Sequence, residues 1–461
     1  MTHAIMSDMK TTLRFALALA AGLATSAAAQ DVAATPPMGW NSWDAYGLTI
    51  TEADFRANVA VLATLKPFGW SYAVIDEGWY MDNPFGAKLA DRKYQLDANG
   101  LLMPSLGRFP SAAGGTGLKP LGDLVHAQGL KFGVHVVRGI PKDAVEANLP
   151  IAGSDFRASD AADKSDLCSW DDGNYGVRDN AAGQAYYSSM VKQYASWGVD
   201  YIKIDCIADH PYKPTEIRQV SEAIKNSGRP MVLSLSPGPT DISRAPEVAK
   251  LSNMWRISND IWDAWSFKDH TPDGYPSGVE TAFDNLAKWN GWAGAGHWPD
   301  ADMLPFGSLT PHPGMGEPRP SRLTKDEEKT QFTLWAVARS PLILGANLTK
   351  LDEFTRSLLT NKAVIAVNQT AWESHPVSDV PPSFAQARVW HALAGPRSKP
   401  VQYVAFFNLD DKPATLRATW KQLGLRGRHA ARELWSGAKR PASTQISVSL
   451  PAHGSAIYRL Q

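Results

Sequence analysis

Short apolar segments alternate with longer amphipathic segments across residues 38–345. The apolar segments are five to eight residues long, and most of them end in a polar or charged side chain, which is typical of buried strands. The longer segments carry apolar side chains at helical spacing, as in residues 181–197, where Gly198 then ends the predicted helix. The predicted strands are residues 38–43, 72–76, 131–137, 201–205, 231–236, 254–260, 297–304 and 340–345.

Eight predicted strands that alternate with helices favour a (β/α)8 TIM barrel over a doubly wound open sheet, which is the competing arrangement. From about residue 372 the pattern changes to short alternating segments such as VQYVAFFNL and ISVSLP, separated by Gly, Pro and Asp. This second pattern predicts an all-β antiparallel sandwich. We therefore expect a barrel over residues 31–371 and a C-terminal β-sandwich domain over residues 372–461.

Residues 1–29 have the features of a cleavable secretory signal peptide. Lys10 and Arg14 precede the apolar run FALALAAGLA, and the small residues Ala27 to Ala29 precede Gln30. A membrane anchor is the alternative, but the run is shorter than the roughly 20 residues that a spanning helix needs. The sequence therefore predicts an exported protein, periplasmic or secreted, with no membrane segment after the signal is removed.

Composition and charge exclude several partners. The chain has 46 basic and 46 acidic residues and no basic block, so a nucleic-acid partner is not expected. No glycine-rich loop follows a strand in nucleotide-binding form, and no His or Cys set has metal-ligand spacing, so no cofactor or metal is expected. An oxidising compartment permits a disulfide, which favours one bridge between Cys168 and Cys206 over two buried thiols. The 17 tryptophans include rings that suit the apolar faces of sugars, although most are expected in the core.

Two predicted strands direct charged side chains into the barrel. Side chains alternate between the two faces of a strand, so Lys203 and Asp205 of YIKID lie on one face and the isoleucines on the other. The isoleucines are expected to face the helices, which places Asp205 inside the barrel at the carboxyl end of its strand. The same parity puts Arg256 and Asp260 of MWRISND on a common face. Active sites of barrel enzymes lie at the carboxyl ends of the strands.

Further acidic residues follow other predicted strands. Asp76 and Glu77 close the second strand, and Asp302 lies in the seventh. One aspartate at a strand end is more often a helix cap or a loop ion pair than a catalyst. Several inward charges in one barrel, however, would repel or desolvate one another unless cations and a polar ligand use them. Paired carboxylates with tryptophans and export point to glycoside hydrolysis, in which one carboxylate attacks and the other transfers a proton.

An ordered set of motifs resembles glycoside hydrolase family 27, the α-galactosidase or melibiase family. The resemblance implies a (β/α)8 barrel followed by an antiparallel β domain, a carbohydrate substrate, and hydrolysis of terminal α-D-galactosyl residues with retained anomeric configuration. It covers most of residues 35–370. The motifs are TPPMGWNSWDAYG (35–47), YAVIDEGWY (72–80), WGVDYIKIDC (197–206), WRISND (255–260), HWPDADML (297–304) and SPLILGANL (340–348).

The resemblance also assigns roles to individual positions. By motif, Asp205 resembles the nucleophile and Asp260 the acid/base. Cys168 and Cys206 resemble the family's disulfide, although in some members a residue separates the nucleophile from the cysteine. The substrate-binding positions are Lys203 and Arg256 for sugar hydroxyls, Trp43 for the apolar ring face, Asp76 and Glu77 for the O4/O6 side, and Asp302 as a further acid lining the site.

Three departures from the family pattern concern the substrate. Glu77 replaces the usual second aspartate, and its extra methylene would fill the space of the hydroxymethyl group at C6. β-L-Arabinopyranose is the α-D-galactopyranose ring without that group, so a β-L-arabinopyranosidase is the alternative. His135 replaces a tyrosine and either lines the sugar pocket or is a core residue, and Ser236 replaces a glutamate, which would admit 2-acetamido sugars. A catalytically inactive sugar-binding protein is a further alternative, against which the presence of both Asp205 and Asp260 argues.

Overall fold

The computed structural model describes residues 32–84, 92–269, 271, 274–309, 317–378 and 387–461. The predicted signal peptide lies outside these residues. Within them, every helix is too short or too polar to cross a bilayer.

Eight parallel strands curl into one closed sheet. They follow one another around the sheet in chain order, and the first strand pairs with the last. The seventh and eighth strands do not pair directly. The segment after the seventh strand closes the sheet between them, because the Leu304 amide donates to the Ile343 carbonyl at 2.8 Å. The predicted TIM barrel is therefore confirmed. Its strands are β1 Met38–Asn41, β2 Tyr72–Ile75, β3 Lys131–Val137, β4 Tyr201–Asp205, β5 Val232–Leu235, β6 Met254–Arg256, β7 Trp298–Asp300 and β8 Leu342–Leu344.

Six of these strands are shorter than the pattern predicts, and the difference is largest in β6 and β7. The segment 254–260 is a strand only to Arg256, and 297–304 only from Trp298 to Asp300. Strand parity therefore does not place Asp260, which lies in the irregular segment after β6. The amide of Ile257 still bonds to the Asp300 carbonyl at 2.9 Å, so this segment follows β7 for one residue before turning into the loop.

Helices connect the strands and cover the outside of the barrel. In the predicted helix after residue 180, the Asn180 side chain accepts a hydrogen bond from the Gly183 amide at 2.8 Å and caps the first turn. Tyr187 and Val191 then face the core, and Gly198 leaves the helix at φ +78°. The helices are Trp43–Tyr46, Glu52–Leu65, Lys119–Ala127, Lys142–Glu146, Ala158–Ala161, Ala181–Ser196, Pro214–Asn226, Ala245–Leu251, Val279–Trp289, Lys325–Ala338, Glu353–Leu359 and Lys362–Thr370.

A small antiparallel sheet extends the connection after β3. It consists of Ile140–Pro141, Ala162–Leu167 and Asn174–Val177, with the last strand in the centre. The loop between its last two strands is joined to the residue after β4 by a disulfide between Cys168 and Cys206. This sheet therefore holds residues 168–173 at the carboxyl end of the barrel. A second antiparallel pair, Ser308–Leu309 with Arg319–Pro320, lies between β7 and β8.

The C-terminal part is a two-layered β-sandwich, as predicted. One layer has six antiparallel strands, and the other is formed by Ala414–Thr419 and Gln445–Leu450. Phe406 from the first layer and Leu416 and Val448 from the second share one buried apolar cluster. The strands of the larger layer, in spatial order, are Ala371–Pro376, Ala387–Ala394, Val401–Asn408, Ser455–Leu460, His429–Glu433 and Lys439–Ser443.

The helix Lys325–Ala338 lies between the barrel and the sandwich. Its residues from Thr330 to Ala338 are all buried. Trp435 of the sandwich packs against Phe332 with ring centroids 5.9 Å apart and donates its indole N–H to Thr333 Oγ1 at 3.0 Å. Trp435 thus packs on the barrel, and the two domains share a continuous core.

Candidate active site

A pocket of about 450 Å3 opens at the carboxyl ends of the barrel strands. Seven of the ten catalytic and sugar-binding positions predicted from the sequence line it. They are Trp43, Asp76, Glu77, Lys203, Asp205, Arg256 and Asp260.

Asp205 is held as an ionised carboxylate at the end of β4. Its Oδ2 lies 3.2 Å from Nε2 of His135, and its Oδ1 accepts a hydrogen bond from the Cys206 amide at 2.7 Å. Burial opposes ionisation, but the hydrogen bond and charge of His135, together with Lys203, hold the pKa of Asp205 below its ordinary value. Cys206 adopts φ +58°, so the chain turns directly after Asp205.

Asp76 and Lys203 form a buried ion pair across the pocket floor. Lys203 Nζ lies 3.0 Å from Asp76 Oδ2, which also accepts a hydrogen bond from Asn41 Nδ2 at 2.6 Å. Burial raises the pKa of Asp76, but the charges of His135 and Lys203 outweigh it and lower that pKa. Burial likewise opposes the charge of Lys203, whose pKa is nevertheless raised by Asp76 and Asp205.

Arg256 connects two carboxyl groups on the other side of the pocket. Its Nη2 lies 3.1 Å from Asp260 Oδ1 and 2.9 Å from Asp302 Oδ2. Burial, with Asp260 and Asp300 nearby, raises the pKa of Asp302 to about 7 although Arg256 acts in the opposite direction. The Asp302 carboxylate also accepts a hydrogen bond from the Ile261 amide at 2.7 Å, so it fixes the loop that follows Asp260.

The two candidate catalytic carboxyls differ in exposure. The side chain of Asp205 is 17% exposed, whereas that of Asp260 is 36% exposed. Asp205 is surrounded by hydrogen-bond donors, and Arg256 is the cation that contacts Asp260. This arrangement suits a fixed anion facing a more solvated group that exchanges protons.

Glu77 belongs to a second charged cluster at the pocket wall. Burial and the charge of Asp171 raise the pKa of Glu77 well above its ordinary value, despite the opposing charge of Arg92. Arg92 Nη1 lies 2.8 Å from Asp171 Oδ2 and 3.7 Å from Glu77 Oε1. Tyr94 donates its hydroxyl to Asp171 at 3.1 Å. Burial and Asp171 therefore disfavour the ionised form of Glu77, and Asp171 and Arg92 hold its carboxyl at the pocket wall.

Three predicted site residues do not line the pocket. His135 and Asp302 lie one layer behind it, in contact with Asp205 and with Arg256 respectively. Ser236 is buried, and its backbone amide bonds to the Ile204 carbonyl at 2.9 Å, while the next residue, Pro237, reaches the pocket. His135 therefore acts on the site through Asp205.

Several residues that line the pocket were not predicted from the sequence. Arg92 and Asp171 come from segments without strand or motif signals, and they meet only in the folded chain. Trp170 follows Cys168 by two residues, and the disulfide was the signal that could have placed it at the mouth. The other unselected lining residues are Leu48, Ser169, His210, Pro237, Asn259, Tyr275 and Met303.

Asp44, which follows Trp43 in the chain, is a buried acid that was not predicted from the sequence. Its Oδ2 has no hydrogen-bond partner among the described residues. Burial raises its pKa, and so do the charges of Asp302 and Asp260. A Cβ at Gly345 would lie 1.8 Å from this oxygen, so the close approach requires glycine there. Among the described residues, no group of three or more His, Cys, Asp or Glu side chains is arranged to hold a metal ion.

A closed TIM barrel with convergent carboxyls, buried cations and a tryptophan at one pocket defines a glycoside hydrolase. The family model described as Alpha galactosidase A matches residues 168–370, and the Alpha galactosidase C-terminal beta sandwich domain matches residues 387–460. The chain belongs to glycoside hydrolase family 27.

Proteins that are similar to this chain include α-galactosidases and a β-L-arabinopyranosidase. The α-galactosidase of Oryza sativa subsp. japonica is 30% identical over 92% of this chain and 84% of its own length. Alpha-galactosidase A of Cellvibrio japonicus is 27% identical over 94% of this chain and 93% of its own. The crystal structure of a family 27 β-L-arabinopyranosidase from Geobacillus stearothermophilus is 39% identical, with a TM-score of 0.86 over 93% of this chain and 97% of that one. A structure of a variant of that protein contains arabinose.

Proposed function

We propose that the protein is a retaining exo-glycosidase for galacto-configured pyranosides, and that it prefers β-L-arabinopyranosides to α-D-galactosides. The observation that carries the substrate preference is Glu77, a buried carboxyl at the pocket wall where the family pattern has aspartate. The hydrogen bonds to Asp205, and the exposure of Asp260 with its contact to Arg256, support the catalytic part of the proposal.

In the first step Asp205 attacks the anomeric carbon and forms a covalent glycosyl-enzyme. Its carboxylate is ionised, fixed by two donors and buried, as a nucleophile requires. Asp260 donates a proton to the departing glycosidic oxygen. The carboxylate of Asp260 that results is stabilised by Arg256 at 3.1 Å.

In the second step water releases the sugar from Asp205. Asp260 now accepts a proton from that water, and its greater side-chain exposure gives water a route to it. The configuration at the anomeric carbon is inverted twice and so is retained. Retention requires the two carboxyl groups to be about 5–5.5 Å apart.

The remaining pocket residues bind the sugar. Asp76 and Lys203 present an acceptor and a donor that are already paired, so they can bind neighbouring hydroxyls without reorganisation. Trp43 offers an indole face for the apolar side of the ring. His135 orients Asp205 from behind.

Glu77 acts on the C5 substituent. Its side chain is one methylene longer than that of aspartate. Because Asp171 and Arg92 restrain its carboxyl, movement of Glu77 away from the pocket wall would cost free energy. A hydroxymethyl group would have to displace this carboxyl, whereas the hydrogen at C5 of an arabinopyranoside would not. Discrimination over one such group is worth about 1–3 kcal/mol, or roughly 10- to 200-fold in kcat/KM.

α-Galactosidase activity as the main activity is the second candidate. The α-galactosidases among the relatives favour it. If the pocket leaves room for C6 beside Glu77, galactosides would be cleaved as well as arabinosides.

The test compares kcat/KM on nitrophenyl β-L-arabinopyranoside and nitrophenyl α-D-galactopyranoside. We expect a ratio above ten for the arabinoside, and Glu77→Asp should move the ratio toward the galactoside by a similar factor. Glu77→Gln is the matched control, because it keeps the length of Glu77 and should keep the preference. A wild-type ratio that favours galactoside would refute the preference but leave the glycosidase.

The catalytic roles require a separate measurement. Asp205→Asn should reduce turnover by several orders of magnitude. Azide should raise the turnover of Asp260→Ala on the nitrophenyl substrate, because azide attacks the glycosyl-enzyme in place of water and displaces Asp205 without the need for a base. The first product should have the anomeric configuration of the substrate, as observed by NMR. Near-normal turnover by Asp205→Asn, or an inverted product, would disprove the mechanism.

We also propose that the protein is exported. The disulfide between Cys168 and Cys206 supports an oxidising compartment. N-terminal sequencing of the protein from its periplasmic or secreted fraction should begin near Gln30.

A further inference from the structure

A second cavity of about 310 Å3 lies at the opposite end of the barrel from the active site. It is bounded by the segment before β7, by the end of the helix Lys325–Ala338 and by the first strand of the sandwich. We call it the junction pocket, and its polar lining residues are Asn290, Arg339, Trp372, Glu373, Ser374 and His375.

The junction pocket contains a buried cation without a counter-charge. Arg339 is 9% exposed, its Nε is buried without a hydrogen-bond acceptor among the described residues, and no carboxylate of those residues lies within 4 Å of its guanidinium. The guanidinium lies over Trp298, with its carbon 4.6 Å from the ring centroid. Desolvation lowers the pKa of Arg339 to about 10, and no acid offsets this effect. A buried guanidinium is normally paired, because an isolated buried charge is costly.

The surrounding side chains resemble a sugar site more than an ion site. The Trp372 ring is fixed in place, since its indole N–H donates to the Gly395 carbonyl at 2.9 Å and Arg397 covers one face at 4.3 Å. His375 and Glu373 lie 3.7 Å apart and are each nearly half exposed, so they form a polar rim. The volume is at the lower end of the roughly 300–1,000 Å3 typical of small-molecule sites.

We propose that the junction pocket binds an acidic monosaccharide unit, a hexuronate, whose carboxylate pairs with Arg339. A carboxylate fits the planar guanidinium fork and supplies the missing counter-charge. The indole and the polar rim then contact the sugar ring and its hydroxyls. The site would attach the enzyme to acidic polysaccharide at the end of the barrel away from the active site. This inference does not depend on the proposed substrate preference.

The test is calorimetric titration of the wild-type protein with D-glucuronate, D-glucose and acetate. We expect saturable binding of glucuronate and weaker binding of both controls, since glucose lacks the carboxylate and acetate lacks the ring. Equal binding of acetate would show that the site binds anions without recognising the sugar ring, and would overturn the proposal of a hexuronate ligand. No saturable binding of glucuronate would overturn the proposal altogether.

Two variants locate the binding. Arg339→Met keeps an apolar side chain of similar length and removes the guanidinium. It should weaken glucuronate binding about tenfold or more, the loss expected for a charge-assisted hydrogen bond. The exposed Arg417→Met makes the same change in net charge and should bind as the wild type does. Arabinoside kcat/KM should be unchanged in both variants. Unchanged glucuronate binding by Arg339→Met would show that the ligand binds elsewhere and would overturn the proposal. If that variant does not fold, Arg339→Lys is the substitute, and it should also weaken binding because lysine lacks the planar guanidinium fork.

Discussion

Loss of the Cys168–Cys206 disulfide should affect both stability and the sugar pocket. The bridge closes a loop with a sequence separation of 38 residues. The chain-entropy relation gives about 4 kcal/mol for a loop of this size, as the amount by which the bridge disfavours the unfolded state. The Cys168→Ala variant removes the bridge and leaves the residue beside Asp205 unchanged.

The functional effect follows from where the two cysteines lie. Trp170 and Asp171 follow Cys168 closely and form a pocket wall, while the Cys206 amide donates to Asp205. The wall loses its tether in the variant, whereas the end of β4 remains in the barrel sheet. We therefore expect KM to rise more than kcat falls.

The assay combines a thermal melt with steady-state kinetics on the nitrophenyl substrate. We expect a melting temperature several degrees lower, and a similar decrease when the wild-type protein is reduced. Reduction should not alter Cys168→Ala any further, and this variant is the control for general effects of the reductant. An unchanged melt with unchanged KM would refute the reasoning, and a fall in kcat alone would place the bridge's effect on Asp205 instead.

Three further changes have defined outcomes. His135→Phe removes the donor that lowers the Asp205 pKa, so the acid limb of the kcat/KM profile should move to higher pH, and an unmoved limb would contradict the role of His135. Burial and Asp352 raise the pKa of Glu328 to about 8, so its ionisation costs stability as pH rises from about 4.5 through 8. Glu328→Gln should therefore melt like the wild type near pH 4 and at higher temperature above pH 8, and a constant difference across pH would contradict this. Trp435→Ala should lower stability by about 3 kcal/mol through lost contact with Phe332 and Thr333, measured by denaturant unfolding, with little change in kcat/KM.

The fold could be predicted from the local periodicity of apolar and polar residues, because both domains are built from regular strands and helices. The YIKID segment shows why it worked: Ile202 and Ile204 pack in the outer core, and Lys203 and Asp205 reach the pocket. Parity does not explain the position of Asp260, because β6 ends at Arg256 and the chain then follows an irregular path, although Asp260 does line the pocket beside Arg256. A motif located this residue where the period could not.

The pocket wall was not predictable because its members share no local pattern. Arg92 and Asp171 are 79 residues apart and meet through a hydrogen bond in the folded chain. Arg339 gave no signal either, since a single arginine after a helix is common and its isolation is a property of the packed structure. Charges that meet across long sequence separations need the tertiary structure.

The position of the helix Lys325–Ala338 has a consequence for how this enzyme can be divided or recombined. Because the helix is buried on the side that meets the sandwich as well as on the side that meets the barrel, no chain end placed near residue 371 would give a self-sufficient barrel. Such a fragment would present Phe332 and its neighbours to water and would be expected to aggregate. Exchange of C-terminal domains between relatives would therefore require that the incoming sandwich match the face that this helix presents to it.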